Sequence, residues 1–183
     1  LQAIIKPTIG IFTNIGQAHD ENFIATNQKI GEKLNLFTKA QTLVYNLDHS
    51  EIQGVIIRSQ ILESVKAFTW STKQMADLRI TTTEKTEHHT NLSALFKNQT
   101  ISIQIPFIDS ASIENCCHVW ALMLYLGYDN EIIKQRILKL NPVAMRLELK
   151  EGINNCSIIN DSYNSDINSL GIALDFLNQQ NQH

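Results

Sequence analysis

The sequence predicts an α/β fold: a mainly parallel sheet with flanking helices plus an antiparallel meander, followed by the start of a second α/β domain. In the first 71 residues, apolar strand-like runs alternate with helical segments, a pattern typical of right-handed crossovers and parallel strands. The pattern of apolar residues then changes at "TISIQIPF", where Ile101, Ile103 and Ile105 alternate with polar residues. A period of two residues indicates a sheet with one wet face, as in antiparallel meanders.

The first half of the chain supplies the predicted parallel sheet. A strand at 9–15 is followed by an amphipathic helix from about 22 to 37, in which Ile30, Leu34 and Phe37 share one face. The predicted elements then continue with a strand at 42–48, a helix at 50–64 that Gly54 weakens, and a strand at 66–71.

The second half supplies the meander and two helices. We expect the meander between about 76 and 107, with a turn near Lys97 and Asn98. A helix follows over 109–128, with a serine as its expected cap and Gly127 as its end. Its predicted buried stripe consists of Ile113, Cys117, Trp120 and Leu124. A short helix at 130–140 is stopped by Asn141 and Pro142.

A new unit is predicted after Pro142, so the expected domains are 1–142 and 143–183. The second contains a hairpin turning at Glu151 and Gly152, then a helix with one apolar face. That face carries Ile167, Leu170, Leu174 and Leu177. So short a unit cannot build its own core. The chain also starts without methionine and stops just after a helix, so we expect a fragment of a longer protein.

Composition excludes several classes of partner. The chain is 43% hydrophobic and 18% charged, with a formal net charge of −3 and the two signs interspersed. Without a basic patch, nucleic acid is not an expected partner. No apolar run reaches the length of a membrane span, so membrane insertion is not expected either. The three cysteines do not suggest a disulfide framework, and reduced thiols predict a cytoplasmic protein.

Polar residues follow several predicted strands. Thr13, Asn14 and His19 come after the first strand, Asp48 after the second, and Asp161 after a strand of the later hairpin. In open α/β sheets, ligands bind at the carboxyl ends of strands. His19 can be a metal or phosphate contact, or simply a hydrogen-bonded surface histidine. Two further candidates also have plain structural explanations: Lys33 as a solvated lysine, and Asn115 as a helix-start hydrogen bond.

Taken together, these segments resemble a known family. "PTIGIFTNIGQAHDENF", a lysine fourteen residues after His19, "NLD", "SIENCCHVWALMLYLG", "MRLE" and "NDSYNSDINSL" occur in that order. They are similar to the Mur ligases, ATP-dependent amino-acid or peptide ligases of peptidoglycan synthesis. The resemblance covers the later part of the family's central ATPase domain and the start of its carboxyl-terminal domain.

Two features of the resemblance favour one branch of the family. "GQAH" has alanine before the histidine, and "DSYNSDINS" is like a Tyr-Asn-Ala-Asn-x-x-Ser stretch. The branch implied adds D-alanyl-D-alanine to UDP-N-acetylmuramoyl-tripeptide through an acyl phosphate. Within that branch, the sequence resembles the form that is fused to an alanine racemase. No racemase sequence is present in the chain.

The resemblance also implies roles for particular residues and the cofactors ATP and Mg²⁺. His19 matches a histidine that ligates the second magnesium, and Lys33 matches a lysine that is carbamylated in many members. A carbamate is an anionic oxygen ligand, which suits magnesium, whereas a free ammonium would repel it. The remaining matches are Asn115 with adenine, Arg146 and Asp161 with the phosphates and ribose, and Tyr163 and Asn164 with the incoming substrate.

The sequence departs from the family pattern in two ways. No G-x-x-x-x-G-K-S/T phosphate loop occurs in the chain, so we expect this fragment alone to be inactive. Ser112 stands where many members carry an asparagine, and Asp166 stands near a common proline. Two alternatives remain open: a folylpolyglutamate synthase-like ligase, and a non-catalytic nucleotide-binding or scaffold domain.

Overall fold

The computed structural model describes residues 2–16, 25–141, 147–162 and 167–180. The α-helices are α1 Gln2–Ile5, α2 Thr26–Leu34, α3 Ser50–Arg58, α4 Ser110–Tyr125, α5 Asn130–Ile137 and α6 Ile167–Gln180. The strands are β1 Ile9–Phe12, β2 Thr42–Asn46, β3 Lys66–Ser71, β4 Leu78–Lys85, β5 Thr90–Phe96, β6 Gln99–Ile105, β7 Glu148–Glu151 and β8 Ser157–Asn160. Within these residues, no helix is long and apolar enough to cross a membrane.

Six strands form one sheet whose spatial order is the same as their order in the chain, from β1 to β6. β1, β2, β3 and β4 pair in parallel, and β4, β5 and β6 pair antiparallel. This confirms the predicted parallel sheet and the predicted meander. The turn between β5 and β6 falls at Lys97 and Asn98, as expected, and both residues have positive φ.

The junction between the two parts of the sheet has an unusual form. β3 and β4 are parallel although only residues 72–77 connect them, whereas parallel neighbours normally need a crossover of about a dozen residues. They pair only at Trp70 with Leu78 and Ser71 with Arg79. β4 begins beside the end of β3 and continues beyond it, so the chain has no need to return across the sheet.

The sheet separates two hydrophobic cores. On one face, Trp70, Leu92, Trp120 and Ile133 belong to a core that includes α4 and α5. On the other face, a second core includes Ile30 from α2, Ile56 from α3 and neighbouring strand residues. All of β2 is buried: Val44 belongs to the first core, and its neighbours Leu43 and Tyr45 belong to the second.

Helix α4 carries the predicted buried stripe. Cys117, Trp120 and Leu124 are buried and Ile113 packs against the same core. The prediction that a serine caps α4 is wrong. The side chain of Asp109 accepts the capping hydrogen bond from the Ser112 backbone N–H instead. A carboxylate at this position also suits the positive end of the helix dipole. Beyond the helix, Gly127 adopts the predicted left-handed conformation, with φ of 84°.

Helices α2 to α5 are all shorter than the sequence suggested, and the difference is largest for α2 and α3. α2 ends at Leu34, and a 3₁₀ turn over Asn35–Phe37 completes the predicted segment. α3 ends at Arg58, not at residue 64, because Gln60 has φ of 55° and breaks the helix before a 3₁₀ turn at Ile61–Glu63.

The last part of the chain forms a hairpin and a helix, as predicted, but the hairpin turns after Gly152 and not at Glu151 and Gly152, because Glu151 still pairs with Ser157. β7 and β8 pair antiparallel, and a 3₁₀ turn over Ile153–Asn155 lies between them. On α6, Leu170, Leu174 and Leu177 are 57%, 51% and 40% exposed, so the apolar face predicted for this helix is open to solvent. The division at residues 142 and 143 stays a prediction.

Gly10 and Gly31 offer a matched test of the packing between β1 and the segment after α2. A Cβ on Gly10 would lie 2.4 Å from Cδ1 of Phe37, whereas one on Gly31 would meet nothing within 4 Å. Gly10→Ala should therefore lower the free energy of unfolding by about 1–3 kcal/mol through overpacking. Gly31→Ala should raise it by about 0.5–1 kcal/mol, because alanine favours the helix. Urea unfolding measures both, and equal stabilities would contradict the close contact.

Candidate functional site

The candidate site lies where β1, β2 and β3 end. These strands are parallel, so their carboxyl ends lie at one edge of the sheet. A cavity of about 260 Å³ opens there, lined by Ile15, Asp48, His49, Ser50, Glu51 and Ile52. Its lining comes from the segment after β1, the segment after β2 and the start of α3. This is the edge at which open α/β sheets bind ligands.

Asp48 joins the ends of β2 and β3. Its Oδ1 accepts a hydrogen bond from the Ser71 hydroxyl at 2.5 Å, and its Oδ2 accepts from the backbone N–H and hydroxyl of Thr72 at 2.8 and 2.7 Å. Partial burial raises the pKa of Asp48, but the hydrogen bonds from Ser71, Thr72 and Lys73 outweigh it and hold the pKa below its ordinary value. Both carboxylate oxygens are therefore engaged in holding the strand ends together.

His49 and Glu114 connect the segment after β2 to α4. His49 Nε2 lies 2.6 Å from Glu114 Oε1. The hydrogen bond to Glu114 raises the pKa of His49, against the opposing effect of burial. The pair is partly exposed, with 34% of the His49 side chain and 26% of the Glu114 side chain accessible.

His118 lies one helical turn after Glu114 and is almost completely buried, at 2% exposure. Its Nδ1 accepts a hydrogen bond of 3.0 Å from Trp70 Nε1, so the neutral ring carries its proton on Nε2. Burial lowers the pKa of His118 to about 4, and the nearby Glu114 only partly offsets it. Nε2 lies near the Thr13 backbone, a contact that raises the pKa of His118, and 3.9 Å from Glu114 Oε1, but neither contact has the geometry of a standard hydrogen bond.

Asn115 follows Glu114 on α4, and its side chain is exposed. The two cysteines after it are buried, and burial raises the pKa of Cys116 to about 12 and that of Cys117 further. Both thiols are protonated near neutral pH, so neither is an activated nucleophile.

Two lysines one helical turn apart on α2 differ in their surroundings. Lys33, the predicted magnesium-site lysine, is exposed. Lys29 is 4% exposed, and its Nζ donates a hydrogen bond of 2.6 Å to the Gly16 carbonyl, just past the end of β1. Sequence reasoning did not single out Lys29.

Asp161 lies directly after β8, as predicted. Its Oδ1 accepts a hydrogen bond of 3.2 Å from the backbone N–H of Leu147, the residue that follows Arg146 in the chain. His19, Arg146, Tyr163 and Asn164 lie outside the described residues, so their predicted roles stay predictions. The described ranges contain no group of three histidine, cysteine, aspartate or glutamate side chains placed to hold a metal ion.

Sequence reasoning missed the side chains that join α4 to the strand ends: His49, Trp70, Glu114 and His118. One signal was available, because Glu114 and His118 are four residues apart and therefore lie on the same face of a helix. Nothing local to His49 or Trp70 indicates a contact with residues that far along the chain.

A three-layer α/β domain with polar residues and a cavity at the carboxyl edge of its parallel strands belongs to the class of open α/β proteins that bind ligands at this edge. Residues 1–123 match the Mur ligase middle domain. The chain belongs to the Mur ligase family.

Relatives and solved structures agree with this membership. A UDP-N-acetylmuramoyl-tripeptide–D-alanyl-D-alanine ligase from Rickettsia prowazekii is 27% identical and matches 98% of this chain and 40% of its own length. The ligase of the same name from Bacillus subtilis is 24% identical over 95% of the chain and 37% of its own length. The MurF structure from Acinetobacter baumannii has a TM-score of 0.85 at 20% identity, covering 98% of this chain and 39% of that one. The chain thus spans about 40% of the length of the curated relative from Rickettsia.

Asp48→Asn tests whether this carboxylate stabilises the strand ends. We expect the free energy of unfolding near pH 7 to fall by about 1–2 kcal/mol, as strong hydrogen bonds are weakened. The folded pKa lies below the ordinary 3.8, so the contribution is present above that value and is lost as pH falls through the folded pKa. Denaturant unfolding should therefore show that the difference in free energy of unfolding between wild type and Asp48→Asn becomes smaller below pH 3.8.

The control for Asp48→Asn is Glu84→Gln, which changes an exposed acid on β4 to the matching amide. It should alter stability by less than about 0.5 kcal/mol. An effect of Asp48→Asn no larger than that of the control would show that the hydrogen bonds to Ser71 and Thr72 do not stabilise the fold.

Proposed function

We propose that this chain is part of an ATP-dependent ligase that joins D-alanyl-D-alanine to UDP-N-acetylmuramoyl-tripeptide. The observation that carries the proposal is the extent of similarity: three relatives with this activity in their names match 95–98% of the chain. Those matches extend past the middle domain and through the hairpin and α6. In this proposal, residues 1–142 are the later part of the central ATPase domain, and residues 143–183 begin the carboxyl-terminal domain.

Two other ligases are weaker candidates. A diaminopimelate ligase from Clostridium acetobutylicum is 29% identical, but it matches 84% of this chain and 31% of its own length. A point mutant of L. casei FPGS has a TM-score of 0.74 at 12% identity, a likeness of fold. The alanine in "GQAH" stands where folylpolyglutamate synthases usually have aspartate, and the "DSYNSDINS" stretch resembles that of the D-alanyl-D-alanine branch.

The proposed reaction is a phosphoryl transfer followed by an acyl transfer. ATP phosphorylates the terminal carboxylate of the nucleotide-linked peptide, and ADP leaves. The amine of the dipeptide then attacks the acyl phosphate, forming the amide and releasing phosphate. Such catalysis rests mainly on positioning the reactants and stabilising charge on the transferring group.

The chain's own residues would position the nucleotide and one metal ion. The exposed amide of Asn115 can hydrogen-bond adenine, and the carboxylate of Asp161 can accept from a ribose hydroxyl. Arg146 would contact the phosphates, and Tyr163 and Asn164 would lie near the incoming dipeptide. His19 and a carbamate on Lys33 would hold Mg²⁺, which supplies neutralisation of phosphate charge when bound. The exposure of Lys33 leaves its amine accessible to carbon dioxide.

The 183-residue chain by itself should bind nucleotide weakly. The phosphate loop supplies backbone N–H groups and a lysine to the phosphates, and the chain contains no such motif. Isothermal titration calorimetry with Mg-ATP should show no tight binding. A micromolar dissociation constant, about −8 kcal/mol, would show that this segment grips the nucleotide without the loop.

Lys33→Ala and Lys29→Ala in a full-length ligase containing this chain separate catalysis from stability. Lys33→Ala should lower kcat about 10²- to 10³-fold, the cost of losing one electrostatic stabiliser, with little change in Tm. A short carboxylic acid in the buffer should restore part of the rate by replacing the carbamate. Lys29→Ala should lower Tm, because it removes a buried side chain that donates to the Gly16 carbonyl.

His19→Ala and Lys33→Ala, alone and combined, form a double-mutant cycle that tests whether the two residues act together. If both residues serve one metal site, the double variant should be little slower than either single variant. Steady-state kinetics on the four proteins measures this. Near wild-type turnover for Lys33→Ala, or losses that simply multiply, would mean that Lys33 is an ordinary surface lysine.

A further inference from the structure

A connected set of side chains joins α4 to the ends of the parallel strands, and the roles proposed above use none of them. Trp70 at the end of β3 donates to His118, and His118 faces Glu114 at 3.9 Å. Glu114 in turn pairs with His49, in the segment after β2, at 2.6 Å. Glu114 is thus the point on α4 where contacts from two strand ends meet.

The two histidines around Glu114 differ in how readily they bind a proton. His118 is neutral near pH 7, because burial disfavours its protonated form. His49 is partly exposed, and its contact with Glu114 favours the protonated form. Of the two histidines, His49 is therefore the one placed to neutralise the Glu114 carboxylate when it is protonated. The other charged groups around His49 are Asp48 and Lys73, and Glu51 lines the same cavity.

The pair is poorly suited to a purely stabilising role. Partly exposed ion pairs contribute about 0–1 kcal/mol to folding. On the other side of Glu114, Nε2 of the buried His118 has only imperfect partners among the described residues: the Thr13 backbone nearby and Glu114 Oε1 at 3.9 Å. Unsatisfied buried polar groups are costly, and each one in a native protein calls for an explanation. Such costs are commonly tolerated where a structure positions groups for function.

The position of the pair indicates what it orients. Glu114 immediately precedes Asn115 on α4, and His49 lines the cavity at the start of α3. The pair fixes the second turn of α4 against the segment that follows β2. We infer that Glu114 is a positioning residue for the nucleotide contact of Asn115, and that His49 holds Glu114 in place.

This inference rests on the proposed function, since it assumes that Asn115 contacts a nucleotide. The inference also requires that the negative charge of Glu114 be neutralised for ATP to bind well. An unpaired Glu114 carboxylate beside the site would repel the phosphates of ATP, whereas a protonated His49 cancels that charge. Nucleotide affinity should therefore be highest where His49 is protonated and should decline as pH rises through its pKa, which lies above the ordinary 6.5.

The test uses Glu114→Gln and His49→Asn in a full-length ligase containing this chain. Both variants should raise KM for ATP and the dissociation constant for Mg-ADP about three- to tenfold, as when one hydrogen bond is lost. Their kcat at saturating ATP should stay within about twofold of wild type, because neither group touches the reacting atoms. The rise of KM with pH that we expect for the wild type should be absent from both variants.

Glu131→Gln is the matched control. Glu131 pairs with Lys134 at 2.7 Å on the exposed face of α5. The substitution therefore removes an ion pair of similar length that lies away from the site. It should leave KM, kcat and the pH profile unchanged. If Glu114→Gln and His49→Asn lower Tm but leave KM for ATP and Mg-ADP affinity unchanged, the pair is structural and the inference is wrong.

The same experiment separates failure of the inference from failure of the proposed function. A wild-type protein that binds Mg-ADP but does not ligate D-alanyl-D-alanine would refute the proposed reaction, and the ADP affinities of the variants would still decide the role of Glu114. A wild-type protein that binds no nucleotide would overturn both.

Discussion

Burial of β2 on both faces is the constraint on which the rest of the structure depends. A strand with no wet face must be covered by helices above and below, and α2, α3 and α4 provide that cover. A strand buried this way has only its ends left for polar residues. Asn46, Asp48 and His49 therefore appear immediately where "TLVYN" stops, and their placement at one edge is a consequence of how the core is closed.

The same constraint explains why α4 matters to the site although it lies at 110–125, far along the chain from the strand ends. Its buried stripe faces the sheet, which brings the side chains next to that stripe over the ends of β2 and β3. Glu114 and His118 are on this boundary between core and edge. Core packing and the contacts to the strand ends thus depend on neighbouring positions of one helix.

Local patterns predicted much of the fold. The two-residue alternation of the isoleucines predicted β6, and the spacing of Ile30 and Leu34 predicted the buried face of α2. Helix ends were less predictable, because the end of α3 depends on the left-handed Gln60, a residue with no strong preference for that conformation. The site residues also divide into those that local sequence predicts and those that only the tertiary fold reveals. Asp161 was foreseeable from the end of a strand, whereas His49 and Glu114 are 65 residues apart and meet only through the tertiary fold.

The order of the six strands has a consequence for how the chain acquires its structure. Every strand lies beside its predecessor, and the short link from β3 to β4 continues that progression without a return across the sheet. Much of the pairing therefore joins segments close in sequence, which gives a lower contact order than a sheet whose strands are interleaved. Such a sheet can grow by adding one strand at a time during synthesis. Helices α4 and α5 follow all six strands in the chain and cover the second face, so the part of α4 that carries Asn115 packs on a sheet whose strands precede it.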